Sequence, residues 1–176
     1  MTVPPDLLPR LRAVKLFLCD VDGVLTDSSV HMGGGTESKR FNIRDGLGLR
    51  LLQQSGIKVG WVSARPSAAT TQRAEDLKVD FLHQSPAPKV EAIADLLAKN
   101  GFTWADVSYM GDDVVDLGAL KRAAFAAVPA DAIAEAKTIA HFVASAAGGH
   151  GAVRETADLI LRAQGHWEPL LAKFAS

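Results

Sequence analysis

Cysteine is nearly absent from this chain. Cys19 is the only one among 176 residues, so no disulfide can form within it, and the apolar run around it marks a small buried hydrophobe rather than a redox thiol. That usage fits a reducing compartment. Neither sign of charge is in excess: 19 Lys and Arg stand against 20 Asp and Glu, a formal net charge of −1. This removes the basic footprint of a protein that binds nucleic acid or an anionic membrane surface, although a local group of arginines remains compatible with an anionic small molecule. No apolar run approaches the roughly 20 residues of a membrane span. The opening MTVPPDLLPRLRAVK lacks the basic-then-apolar order of a signal peptide, so a cytoplasmic location is expected. The five histidines are scattered without zinc-site spacing. With no repeat, low-complexity tract or Pro/Ser-rich linker, residues 1–176 are expected to form a single domain, 48% apolar, around one substantial core.

What the chain does have is alternation. Short apolar runs at 14–19, 58–63, 80–83, 107–110, 125–128 and 142–143 read as strands. Between them lie amphipathic segments at 46–55, 67–77, 89–99, 115–123 and 130–140, with a last helix near 152–163. Such a pattern predicts an α/β fold, a parallel sheet in three layers with helices on both faces. One segment breaks the rhythm. Residues 28–42, SSVHMGGGTESKRFN, carry strand-like flanks around Gly33, Gly34 and Gly35 and are expected to form a small β-hairpin flap with a tip that offers no side chain.

In open α/β sheets ligands bind beyond the carboxyl ends of the strands. The first run ends directly on Asp20-Val21-Asp22-Gly23. Ser63, Ala64 and Arg65 follow the second run, and Gly111, Asp112 and Asp113 follow the fourth, with Asp116 a turn later; Lys89 precedes the third interstrand helix. An EF-hand loop does not fit, because its third acid would fall on Val24 and its turn glycine on Leu25. Carboxylates converging without a cation would repel one another, and a set of oxygen ligands favours Mg2+, commonly bound with substrate phosphate. With a phosphate in place, Asp20 is the candidate nucleophile, forming an aspartyl-phosphate, and Asp22 the acid that becomes a base. Ser63 and Lys89 would neutralise the phosphoryl oxygens, Asp112 would complete the metal site, and Asp113 and Asp116 would hold Lys89 or cap the following helix.

The order Asp-x-Asp-Gly-Val-Leu-Thr-Asp, Ser, Lys, Gly-Asp-Asp-x-x-Asp resembles the four motifs of the haloacid dehalogenase superfamily of phosphotransferases. Over nearly the whole chain, DVDGVLTD, FNIRDGLGLR, GDDVVD and AGGHGAVRE are similar to the 3-deoxy-D-manno-octulosonate 8-phosphate phosphatases, a branch without a large cap domain. The resemblance implies a Rossmann-like fold and metal ligands at Asp20, Asp22 (through its backbone oxygen) and Asp112. It implies substrate contacts at Asp22, at the segment Asn42, Ile43, Arg44, Asp45 and Gly46, and at Arg50, Arg65, Arg73 and Lys89. Arginine forks suit a sugar acid phosphate, which brings a carboxylate as well as a phosphate; Arg50 and Arg73 also fit as ordinary helix residues. The family further implies a homotetramer, in which hairpins and a neighbour's C-terminal tail, here about 165–176, close the site in place of a lid. The second motif departs from the pattern, reading Ser-Ala-Arg where Thr-Gly-Arg is usual. The hydroxyl is kept, and Ala64 narrows the backbone freedom.

Two other classes share parts of this kit. A receiver-type phospho-switch uses an acidic pair, an accepting Asp, a hydroxyl, a lysine and Mg2+, but places its accepting Asp at a third strand. A non-catalytic phosphatase-like assembly domain would not need all four motif groups intact. Within the same chemistry, a nine-carbon keto-deoxy sugar acid phosphate or another sugar phosphate is the alternative substrate.

Overall fold

Leu16, Phe17, Leu18 and Cys19 are all fully buried, because both faces of their strand are covered. Alternation sends Phe17 and Cys19 into one apolar cluster with Val59, Trp61 and Met110. Leu16 and Leu18 enter a second cluster with Val62, Val107 and Tyr109. A computed structural model describes residues 2–175, apart from the side chain of Thr36. In chain order its elements are α1 (Leu8–Ala13), β1 (Leu16–Cys19), β2 (His31–Gly33), β3 (Thr36–Ser38), α2 (Ile43–Gln54), β4 (Lys58–Ser63), α3 (Ala68–Asp76), β5 (Phe81–Gln84) and α4 (Lys89–Asn100). There follow β6 (Val107–Met110), α5 (Leu117–Leu120), β7 (Phe125–Val128), α6 (Ala134–Ile139), β8 (Phe142–Val143), α7 (Ala152–Ala163) and α8 (Trp167–Ala175).

Six strands form one parallel sheet in the order β5-β4-β1-β6-β7-β8, while β2 and β3 pair separately as an antiparallel hairpin. Helices α1, α2, α3 and α7 supply the first cluster, and α4, α5 and α6 the second. The fold is thus the expected three-layer α/β sheet with a hairpin flap. Strand order reverses between β1 and β6, which opens a crevice beyond their carboxyl ends. Asp20 and Asp112 stand at that crevice, after Cys19 and Met110 respectively.

Several boundaries differ from the periodicity, each for a local reason. Helix α2 begins at Ile43 because the Asn42 carboxamide accepts from the backbone N–H of Arg44 at 2.8 Å, capping it. The helix expected over 115–123 splits into a 3-10 turn, Val114–Asp116, and the short α5, since Asp113 and Asp116 form a reciprocal capping box there. Two helices were not expected. α1 follows a proline-rich start, with Pro9 in its first turn where no N–H partner is needed, and is held by Leu11, fully buried. α8 occupies what reads as a tail; none of its residues is buried, and Leu171 and Phe174 are exposed.

Candidate active site

The end of β1 is hooked onto β6 by the backbone N–H of Asp20, which donates to the Met110 carbonyl at 2.9 Å. This fixes the Asp20 carboxylate at the mouth of the crevice, 6% exposed. Its Oδ1 accepts from the Val21 N–H at 2.6 Å, and its Oδ2 lies 2.7 Å from the Lys89 ammonium. Lys89 opens α4 and reaches back, buried, to sit also 2.7 Å from Asp116 Oδ1. Asp116 is saturated. Its Oδ1 also accepts from the Tyr109 hydroxyl, and its Oδ2 accepts from the backbone N–H groups of Asp112 and Asp113. It therefore acts as the counter-charge that places Lys89, while Asp113 caps the turn through the Val114 N–H.

Burial pushes the Asp112 carboxyl up to about 7, helped by the charges of Asp116, Asp20 and Asp113. Burial likewise raises Asp20, to about 6, against the pull of Lys89. Burial works against the Lys89 ammonium as well, yet Asp116 and Asp20 hold its pKa above the usual lysine value. Asp20, Asp112 and Asp116 each offer an oxygen within 4.8 Å of the others. Because the oxygens of Asp116 are already spent on four donors, Asp20 and Asp112 are the better ligands. Asp112 Oδ1 is buried with no hydrogen-bond donor, as an oxygen reserved for a cation would be. Hard carboxylate oxygens of this kind fit Mg2+. Gly23 shapes the same place: it has φ of 90°, and a Cβ there would collide with the Asp112 carboxylate.

Asp22 lies on the hairpin side. The Lys39 ammonium donates to its Oδ2 at 3.0 Å and stands 2.7 Å from Oδ1, so it faces both carboxylate oxygens. Lys39 also donates to Thr70 Oγ1 at 3.2 Å. Arg65, just past β4, lies 3.7 Å from Asp22 Oδ2 and 2.6 Å from Glu37, which accepts in addition from Ser67 Oγ at 2.7 Å. The hairpin tip indeed carries only glycines, but the returning strand delivers Glu37, and Lys39 just past its end, to the site, and the sequence reading names neither. Their i, i+2 spacing, which puts both on one face of a strand, was the available signal. Ser63 is buried at the end of β4; its hydroxyl accepts from the Arg65 N–H and donates to the Arg65 carbonyl, both at 3.1 Å.

The remaining expected residues divide. Asp45, 1% exposed, accepts from the N–H groups of Gly151 and Arg154 and so caps the start of α7. Burial raises its carboxyl despite those two bonds. The Asn42 side chain donates to the Gly149 carbonyl, and the Gly149 N–H donates to Val24. A Cβ at Gly148 would run into the Gly23 backbone. The RDG and GG-x-GAVRE segments are therefore two halves of one bracket around the Asp22–Thr26 loop. His150 belongs to it through Arg40 and the Gly148 carbonyl. Ile43 is 81% exposed, and Arg44 is exposed beside it. Arg50 donates to the Leu77 carbonyl and to Gln53. Arg73, beside Gly46, pairs with Asp76 and lines a cavity of about 870 Å3 between the hairpin and α3 that Glu37 and Lys39 also line.

No family model matches the chain. Among curated relatives, the 3-deoxy-D-manno-octulosonate 8-phosphate phosphatase KdsC of Yersinia pestis is 39% identical over 163 residues, covering 92% of this chain and 87% of that protein. The enzyme of the same name from Escherichia coli K12 is 37% identical over 164 residues, 93% and 87% of the two chains. A solved structure of the Moraxella catarrhalis phosphatase, in complex with magnesium, phosphate and KDO, superposes with a TM-score of 0.94 at 35% identity, covering 96% of this chain and 98% of that one. A probable YrbI family phosphatase from Pseudomonas syringae pv. phaseolica gives 0.95 at 37% identity, over 98% and 99%. On sequence and fold together, the chain belongs to the 3-deoxy-D-manno-octulosonate 8-phosphate phosphatase family of the haloacid dehalogenase superfamily.

Proposed function

We propose that the protein is a Mg2+-dependent phosphomonoester hydrolase that converts 3-deoxy-D-manno-octulosonate 8-phosphate to the free sugar acid and inorganic phosphate. The observation that carries this is the Asp20 carboxylate at the β1 end, held by Lys89 beside Asp112 and next to the separately mounted Asp22. An Asp20 oxygen attacks phosphorus and the bond to the sugar oxygen breaks, while the leaving alkoxide takes a proton from Asp22. Water then attacks the phosphorus of the aspartyl-phosphate and gives its proton to Asp22, which releases phosphate and restores Asp20. In this reading Lys89 and the Ser63 hydroxyl neutralise the phosphoryl oxygens. Asp20, Asp112 and the Asp22 backbone oxygen would hold Mg2+, which supplies further charge neutralisation at the phosphoryl group when bound.

Recognition of the sugar acid is assigned to Asp22, Lys89, Arg65, Arg73, Arg50 and the segment Asn42–Gly46, with Asn42 and Asp45 acting through the bracket they build. A homotetramer belongs to the same reading, supported by exposed apolar groups on the hairpin (Met32), on α2 (Ile43) and on α8 (Leu171, Phe174). A cytoplasmic site of action accords with the one free, buried cysteine; among the described residues, no helix is long and apolar enough to cross a membrane. The test is phosphate release with Mg2+ across eight- and nine-carbon keto-deoxy sugar acid phosphates, with Asp20→Asn as control. The eight-carbon substrate is expected to give the highest kcat/KM and Asp20→Asn to abolish turnover. A preference for the nine-carbon acid would reassign the substrate, and turnover retained by Asp20→Asn would remove the nucleophile.

A further inference from the structure

Lys39 has no task in the reaction as written, yet it is the most enclosed charged group the hairpin carries. Its side chain is 0% exposed, whereas every residue of β2 is exposed. Taking an ammonium out of water is costly unless its charge and its donors are met. Here they are met inside the site: by both oxygens of Asp22, by Thr70 Oγ1 on α3, and at 3.8 Å by Glu37. A lysine that served the hairpin alone would keep its ammonium in solvent.

We propose that Lys39 is a positioning residue for Asp22. Its ammonium spans both carboxylate oxygens, 3.0 Å from Oδ2 and 2.7 Å from Oδ1, and so fixes the plane in which Asp22 meets the leaving group. A carboxylate is otherwise free to rotate about its Cβ–Cγ bond and to exchange its two oxygens. Arg65 reinforces the same side, 3.7 Å from Oδ2, and is itself clamped by Glu37. Since Thr70 and Ser67 lie on or at the start of α3, the clamp ties hairpin, α3 and the Asp22 loop into one unit, so the position of the flap sets the orientation of the acid. This inference rests on the reading of Asp22 as acid and base.

The experiment compares two leaving groups in single-turnover phosphoryl transfer with Mg2+ present. Nitrophenolate departs as a stable anion and needs no proton, whereas the sugar alkoxide needs the one on Asp22. Lys39→Met should slow transfer from the eight-carbon sugar acid phosphate at least about tenfold while leaving the nitrophenolate burst from p-nitrophenyl phosphate within about twofold. Slowing both substrates alike, or neither, overturns the proposal. Asp22→Asn, run alongside, should show the same split at larger size; if it shows none, the acid reading fails and this inference with it. Should Lys39→Met not fold, Thr70→Val keeps the shape and removes one bond to Lys39. It should split the two leaving groups about threefold, and an unsplit Thr70→Val overturns the proposal.

Discussion

The Asp20 and Asp112 carboxyls are held well above the usual carboxylate value, at about 6 and about 7, first by burial and then by neighbouring carboxylates. Folding therefore retains protons that the unfolded chain gives up once the pH passes the ordinary aspartate range. Through these two groups the native state binds extra protons, so the stability they contribute is lost as pH rises between about 4 and 7. A divalent cation bound to the ionised pair offsets this. The expected outcome is that, in chelator, the melting temperature drops from pH 5 to pH 8, and that added Mg2+ raises it far more at pH 8 than at pH 5. Calorimetry in the two buffers checks it, and equal Mg2+ stabilisation at both pH values would contradict the assignment of these residues. Legibility at this scale was uneven. Asp20, Lys89 and Asp112 could be read because each follows or precedes an apolar run at a strand end. Asp116 as the anchor of Lys89 was read only as one of two options, since the choice depends on which way a 3-10 turn points its side chain. Lys39 was not read at all, because it looks like any lysine of an exposed hairpin until α3 is packed against it.

The bracket between α2 and α7 shows how an element carries a site from a distance. Asp45 spends both oxygens on the first N–H groups of α7, and the glycines before that helix pack on the backbone of the Asp22–Thr26 loop. Removing the carboxylate leaves those N–H groups without partners in a buried place. Asp45→Ala should cost about 1–3 kcal/mol in stability and Asp45→Asn less, as measured by urea denaturation. A loss within error for Asp45→Ala would show that α7 is capped some other way. The RDG and GG-x-GAVRE motifs were visible in the sequence, but their partnership was not, for more than a hundred residues separate them. The stripe Trp167, Leu170, Leu171, Phe174 was equally visible, at helical spacing, though the segment reads as a tail because nothing nearby in sequence terminates or buries it.

At the scale of the whole molecule, the carboxyl ends of β1, β4 and β6 bring Asp20, Ser63 and Asp112 to one side of the sheet, and among the described residues only the small hairpin stands over it. Apolar side chains are exposed on the hairpin, at the start of α2 and along α8, and the proposed tetramer predicts that they are covered. Light scattering of an active preparation should give the mass of a tetramer, four times 18.7 kDa. A monomeric mass in an active sample would show that one chain excludes water from its own site. By itself the sequence determined the alternation of strand and helix, the parallel sheet and the reaction type, because these depend on apolar periodicity and on residue types at strand ends, both local properties. Only the tertiary structure decided that Lys39 and Glu37 enter the site, that Asp116 serves Lys89, and that Asp45 holds α7. Each of those roles is an electrostatic match between segments far apart in the chain, and burial, which gives such matches their strength, exists only once the layers have packed.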